Sequence, residues 1–156
     1  MTTTFYDANG YVQQSTGPDA NTSISAADGD GRTYCSADPT NVSVWLEANP
    51  SGTYPYLCPS TPPTVGYDPY LGATITTYDA DGRVVQVTSP LGGLTLTSYD
   101  AANNVAETTV ESSDSSEDPA VVTSYTYDAD DQVTATTADP GGGALSANGP
   151  GLRPRR

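Results

Sequence analysis

A short motif recurs five times along the sequence and constrains the fold more than any other feature. Its full form is Tyr-Asp, two small or polar residues, then Gly or Asn. The second copy has Ala27 in place of the tyrosine, and the fifth has Asp131 in place of the Gly or Asn. The tyrosine position falls at Tyr6, Ala27, Tyr78, Tyr99 and Tyr127 in the five copies. Such recurrence is typical of repeat architectures, in which each unit covers its neighbour. The copies span residues 5–12, 27–32, 77–84, 98–105 and 125–133.

Each copy of the motif is predicted to form a β-hairpin. The pairs Asn9-Gly10, Asp30-Gly31 and Asp81-Gly82 favour type I′ turns, in which both central residues have positive φ. Asn103-Asn104 tolerates the same conformation. Tyr, Thr and Val flank these pairs and favour strands, and no segment has a helical period. The sequence therefore predicts an all-β fold of tandem antiparallel hairpins that form an extended curved sheet.

Four segments follow from the positions of the motif. Residues 1–34 hold the first two units, the second of which is degenerate, and residues 35–73 form a Pro-rich insert. Residues 74–137 hold units three to five, and residues 138–156 are predicted to be a disordered tail. The insert contains both cysteines, Cys35 and Cys58, which predicts a disulfide, with two free thiols as the alternative.

Charge and hydropathy exclude several partners. The net charge is −14, and the chain has neither Lys nor His. Such a chain is repelled by the phosphates of nucleic acids and by anionic membrane surfaces. No run approaches the roughly 18 apolar residues of a membrane span, so no membrane insertion is expected. Residues 1–30 contain no signal-peptide pattern.

The residue types also limit the chemistry of the chain. Without His, a Ser-His-Asp or Cys-His catalytic set is excluded, and two cysteines do not make a usual zinc site. The segments beginning at Asp28 and Asp79 are similar to the start of a calcium loop, but their twelfth positions are Pro39 and Pro90 instead of Glu. They are interpreted as turns, with weak calcium binding left as an alternative. No catalytic residue, metal ligand or cofactor is therefore assigned.

The string Tyr-Asp-Ala-Asp-Gly-Arg-Val at residues 78–84, with Pro-Leu-Gly downstream and the next Tyr-Asp at Tyr99-Asp100, resembles the YD-repeat, or Rhs, family. The resemblance implies long arrays that build a hollow β-shell. In bacterial members the shell encloses a C-terminal toxin, and animal teneurins use a similar shell in adhesion. The repeat-motif residues are Tyr6, Asp7, Gly10, Asp28, Gly31, Arg32, Tyr78, Asp79, Gly82, Arg83, Tyr99, Asp100, Tyr127 and Asp128.

On this resemblance the chain is interpreted as a fragment of a secreted or cell-surface bacterial shell protein. Its expected partners are the neighbouring repeats of the parent shell and the enclosed effector. Asp139-Pro140-Gly141-Gly142 is interpreted as a turn instead of part of the family's self-cleaving segment. Because both sheet edges lack a neighbour, the isolated chain is expected to be marginally folded or self-associating.

An alternative function is a carbohydrate-binding or adhesive surface module, with a glycan as the partner. An exposed strip formed by the tyrosines of the motif would favour that function, since aromatic faces stack on sugars. Burial of the same tyrosines between hairpins would make them a packing ladder and favour the shell.

Overall fold

The computed structural model describes residues 1–48, 58–65, 72–113 and 120–140. Within these ranges, ten antiparallel strands form one open sheet in which the strands lie in chain order. The predicted all-β class and the tandem antiparallel hairpins are confirmed. The strands are β1 (Thr3–Tyr6), β2 (Val12–Thr16), β3 (Thr22–Ala27), β4 (Thr33–Ala37), β5 (Thr74–Tyr78), β6 (Val84–Thr88), β7 (Leu94–Tyr99), β8 (Val105–Glu111), β9 (Val121–Tyr127) and β10 (Val133–Pro140).

The strands pair as five hairpins, one for each copy of the motif. Hairpin 1 is β1–β2, hairpin 2 is β3–β4, hairpin 3 is β5–β6, hairpin 4 is β7–β8 and hairpin 5 is β9–β10. In each, the residue at the tyrosine position pairs with the residue six positions later, and the register shifts by one immediately beyond that pair. The second strand therefore carries an extra residue at a fixed point, as in a β-bulge, which increases the local twist.

The hairpin turns are not of the predicted type I′. In hairpin 3 the N–H of Gly82 donates to the Asp79 carbonyl at 3.1 Å, and the N–H of Asp79 donates to the Arg83 carbonyl at 2.9 Å. Gly82 has a φ of 80°, whereas Asp81 lacks the positive φ that a type I′ turn requires. This pattern belongs to the three-residue hairpin loop, a type I turn followed by a left-handed residue.

The aspartate of the motif explains the turn type. Asp79 Oδ1 accepts hydrogen bonds from the N–H groups of Asp81 at 3.0 Å and Arg83 at 2.9 Å. An Asp at the first position of a type I turn satisfies backbone donors in this way. The predicted turn centre at Asn103-Asn104 lies one residue too late for the same reason, since only Asn103 is left-handed there. In the other four hairpins the left-handed residue is Gly10, Gly31, Asn103 or Asp131.

The prediction that no segment is helical was wrong, because the insert contains α1 (Pro39–Ala48). Asp38 caps this helix, since its Oδ1 accepts the N–H of Asn41 at 2.9 Å. Pro39 occupies the first helical position, where its missing N–H costs nothing. The Asp38-Pro39 pair that starts the helix is a local signal, and it is easily overlooked because the helix has only ten residues. The helix packs against β3 and buries Val42, which is 2% exposed.

A small apolar core lies where the insert meets β3, β4 and β5. A disulfide joins Cys35 and Cys58, whose Cα atoms are 5.7 Å apart. The Tyr34 hydroxyl donates to the Pro59 carbonyl at 2.9 Å, and burial raises the pKa of Tyr34. The core consists of Ile24, Tyr34, Cys35, Ala37, Val42, Cys58, Ala73 and Ile75.

The C-terminal boundary of the sheet differs from the prediction. β10 extends to Pro140, so residues 138–140, predicted as the start of the tail, belong to the last strand. The remaining residues of the predicted tail, 141–156, lie outside the described residues. In the part of the chain that the structure describes, no helix is long and apolar enough to cross a membrane.

Candidate functional site

The predicted repeat residues meet at the junctions between hairpins. A junction is defined here as the second strand of one hairpin paired with the first strand of the next. The described sheet has four: β2–β3, β4–β5, β6–β7 and β8–β9. At each one, the residue eight positions after a tyrosine position faces the residue three positions before the next. These pairs are Gln14 with Ile24, Cys35 with Ile75, Gln86 with Leu96, and Glu107 with Ser124.

This register is independent of the length of the connecting chain. The spacing from Tyr78 to Tyr99 equals that from Tyr6 to Ala27, but the other two junctions carry insertions of unequal length and have longer spacings. A slip of one residue would turn every side chain of a strand to the opposite face of the sheet. Since the connections differ in length, contacts between the strands themselves must specify the register. The contacts made at the motif residues supply that specification.

A tyrosine hydroxyl fastens three of the four junctions. Tyr78 donates to the carbonyl of Thr33 at 2.9 Å, Tyr99 to Val84 at 2.9 Å, and Tyr127 to Val105 at 2.8 Å. Each acceptor is the first residue of the second strand in the preceding hairpin. The ring thus spans two hairpins while its hydroxyl binds the backbone, in a hydrogen bond worth about 1 kcal/mol net.

The degenerate second copy retains this acceptor but uses a different donor. Ala27 has no hydroxyl, and Ser25 Oγ instead donates to the carbonyl of Val12 at 2.5 Å. Val12 is the first residue of β2 and is equivalent to the three tyrosine acceptors. Ser25 lies two residues before the tyrosine position, which places it on the same face of the strand. All five copies have a hydroxyl residue at that spacing, so the sequence alone does not mark Ser25 as the replacement.

A second contact links the turns of successive hairpins. The residue five positions after each tyrosine position reaches the left-handed residue of the next turn. Arg83 Nη1 donates to Asn103 Oδ1 at 2.6 Å, and Asn104 Nδ2 donates to Asp131 Oδ1 at 2.8 Å.

At the two earlier junctions the left-handed residue is glycine, and the bridging side chain occupies the space above it. A Cβ on Gly82 would lie 2.7 Å from Arg32 Nη1, and one on Gly31 would lie 2.9 Å from the Tyr11 hydroxyl oxygen. Sequence reasoning did not identify Tyr11 and Asn104, because they share only their position in the repeat with the arginines.

The two bridging arginines also bind the turn of their own hairpin. Arg83 Nη2 lies 2.7 Å from Asp79 Oδ2, and the Arg83 guanidinium carbon lies 4.5 Å from the centre of the Tyr99 ring. In hairpin 2, Arg32 Nε lies 2.7 Å from Asp28 Oδ2, and its guanidinium lies 5.1 Å from the centre of the Tyr78 ring. Each arginine therefore joins an aspartate of its own unit to a tyrosine of the next.

These contacts keep the two aspartates ionised. Hydrogen bonds from the Arg83 backbone and guanidinium lower the pKa of Asp79, although its partial burial acts in the opposite direction. Burial acts to raise the pKa of Asp28, but hydrogen bonds from Arg32 and from the Asp30 backbone outweigh it and lower the pKa. Within the described residues, no group of three or more Cys, Asp or Glu side chains is placed to hold a metal ion.

The remaining assigned residues lie at equivalent places. Asp7, Asp100 and Asp128 each accept two backbone N–H groups of their own turn through Oδ1. Tyr6, in contrast, lies on the free edge of the sheet and is 60% exposed. The tyrosines at the junctions are half-buried, and their hydroxyls are bound to protein. This arrangement matches the packing ladder better than an open sugar-binding strip.

The fold and its junctions define a tandem β-hairpin repeat protein. Residues 78–114 match the family model described as RHS Repeat, so the resemblance to the Rhs, or YD-repeat, family is confirmed. The arrangement supports a structural role for this repeat segment. No curated protein matches the sequence.

The solved structures with a similar fold include two that contain TccC3. One is the Photorhabdus luminescens Tc holotoxin pore with a mutation in TccC3, at 17% identity and a TM-score of 0.55, covering 88% of this chain and 5% of that chain. The other is the TcdB2–TccC3–Cdc42 complex, at 16% identity and a TM-score of 0.58, covering 89% of this chain and 5% of that chain. The chain thus spans about one twentieth of the length of each of these chains.

Proposed function

We propose that this chain is a structural segment of an Rhs, or YD-repeat, shell that encloses a C-terminal toxin or effector in its full-length parent. The observation that carries the proposal is the constant junction register across connections of very different length, held by a tyrosine hydroxyl at three junctions and by Ser25 at the fourth. A sheet that continues through many hairpins needs the same register at every junction. The proposed role is architectural, without catalytic turnover.

In this proposal the segments have different tasks. The units predicted in residues 1–34 and 74–137 form the wall together with residues 35–37, which the structure places in β4 instead of in the insert. The helix α1 of the insert packs against β3, and the junction register is kept. The partners are neighbouring YD repeats of the parent and the enclosed effector, in a protein that is secreted or held at the bacterial surface. The negative charge keeps a β-rich wall soluble.

Protection of the effector from protease tests the shell. In a parent protein that carries this segment, an in-frame deletion of residues 74–137 should open the wall and expose the effector to an added protease. Replacement of residues 38–72 by Asn-Gly together with Cys35→Ala should leave the effector protected, because Ala37 and Ala73 would then flank a two-residue hairpin turn and β4 would stay paired with β5. An effector equally protected in both variants would contradict the proposal.

A glycan array tests the alternative function, a carbohydrate-binding or adhesive module. Specific capture of the chain by one class of oligosaccharide, lost in Tyr6→Ala but kept in Tyr6→Phe, would favour the binding module. No capture is expected, because the junction tyrosines already use their hydroxyls in the sheet.

A further inference from the structure

We propose that β1 and β10, the two outer strands of the described sheet, have complementary edges, so that β10 of one copy pairs with β1 of a second copy through a fifth junction of the same geometry. This inference rests on the proposed repeat role but makes a separate claim about the isolated chain. Three features support it. In each, one edge supplies one partner of a contact seen inside the sheet, and the other edge supplies the second partner.

The first feature is the tyrosine contact. Tyr6 is 60% exposed, and its hydroxyl has no hydrogen-bond partner in the described part of the chain. Val133, the first residue of β10, is equivalent to the acceptors Val84 and Val105 and is 55% exposed. Inside the sheet, Val84 and Val105 are half-buried under the tyrosines of the next hairpins, whereas Val12, which faces a hairpin without the tyrosine, is 43% exposed. Tyr6 of one copy therefore fits the carbonyl of Val133 in another.

The second feature is the bridge between turns. Gln132 occupies the position held by Arg32, Arg83 and Asn104 in other units, and it is exposed. The residue that it would reach in a second copy is Gly10, and a Cβ built there has no atom within 4 Å. The equivalent Gly31 and Gly82 are covered by Tyr11 and Arg32. The space above Gly10 is thus open to the bridging side chain of a second copy.

The third feature is the register. Applying the spacing shared by all four junctions to the two edges places Ala135 opposite Thr3. Both residues are exposed and pair on only one side, Ala135 with β9 and Thr3 with β2. Residues directly opposite on antiparallel strands share a face and interact. The contact is heterologous, joining head to tail, so it generates rings or open chains of copies.

Sedimentation of the full chain over a range of concentrations tests this assembly. Because each copy carries a net charge of −14, association should strengthen as salt screens the repulsion. Tyr6→Phe should weaken association about fivefold, the equivalent of one lost hydrogen bond. A chain that is monomeric at every concentration and salt level would overturn the inference.

Charge substitutions test the register itself. Ala135→Glu should weaken association roughly tenfold by adding another negative charge beside an acidic partner. Adding Thr3→Lys should restore it, because the two side chains would face each other across the new junction. The matched control is Ala135→Glu with Thr4→Lys, which has the same net charge but puts the lysine on the opposite face. Equal rescue by both lysines would indicate non-specific association and overturn the inference.

Circular dichroism of each variant verifies that it folds, since all the substituted positions are exposed or half-exposed. The proposed repeat role is tested separately by the internal junctions. If the chain stays monomeric while loss of the Tyr99 hydroxyl still destabilises it, only the assembly of copies is contradicted.

Discussion

At the scale of single residues, the tyrosine of the motif combines an apolar contact and a hydrogen bond in one side chain. Its ring covers the half-buried surface between hairpins, and its hydroxyl binds a backbone carbonyl of the preceding unit. A phenylalanine would provide the first contact alone, and a serine the second alone. Hairpin 2 illustrates the second case, since Ser25 supplies the hydrogen bond where Ala27 lacks a ring.

Tyr99→Phe should therefore lower the free energy of unfolding by about 1 kcal/mol, the net value of the lost hydrogen bond to Val84. The stacking of Arg83 on the ring is retained. Urea denaturation at low protein concentration measures the change. Tyr6→Phe is the matched control and should leave stability unaltered in the dilute monomer. A loss at Tyr6 as large as that at Tyr99 would contradict the role given to the junction.

At the scale of elements, the hairpin turn carries the contact between units. The motif aspartate fixes a three-residue loop, and this loop sets the left-handed residue under the bridging side chain of the preceding hairpin. The turn and the junction thus depend on each other, because a different turn type would move the left-handed residue away from the bridging side chain.

Gly82→Ala should destabilise the chain by more than about 1 kcal/mol, because the residue has positive φ and its Cβ would press on Arg32. Gly10→Ala serves as the matched control, since Gly10 also has positive φ but has open space around it, so that the additional loss at Gly82 measures the contact with Arg32. Thermal unfolding of both variants compares them. Equal losses would mean that the bridge has no energetic role.

The insert is linked to the sheet by a disulfide. The Cys35–Cys58 disulfide closes a separation of 23 residues, which corresponds to about 3 kcal/mol in the chain-entropy model. Reduction should lower the stability of β3, β4 and α1 by this order while leaving the protection of β7 and β8 largely intact. Hydrogen exchange with and without reductant measures both regions. Thiol titration of the unfolded, unreduced protein should detect no free thiol, and two thiols would contradict the bridge.

At the scale of the whole molecule, the described strands form an open sheet in which each strand pairs with its neighbours in the chain. Its compact apolar core lies at the insert and β3–β5, whereas β6 and β8 bury the polar side chains of Gln86, Thr88 and Thr109. Stability is then the sum of similar junctions. Protonation of the turn aspartates weakens several of these contacts at once.

Acid should accordingly destabilise the chain. Asp28 and Asp79 have pKa values lowered from 3.8 in the folded state, so their contribution is fully present above about pH 4 and is lost as the pH falls through the lowered values. Denaturation by urea between pH 6 and pH 2 should show a decline below about pH 4. Asp79→Asn, which cannot ionise, should decline less steeply. An equal or steeper decline in the variant would contradict this explanation.

The sequence by itself determined the repeat, the hairpins and the residues of the motif, because strand preference and turn formation are local and recur with the spacing of Tyr-Asp. It also held the signals for the true turn type and for α1, in the aspartate before each turn and in Asp38-Pro39, although these were misread. Only the tertiary structure decided which atoms meet between units. The hydroxyl of Ser25 replaces that of a tyrosine, Tyr11 and Asn104 take the place of arginine, and one register survives insertions of unequal length. These are contacts between residues distant in the chain, where position on the sheet, instead of residue type, determines the partner.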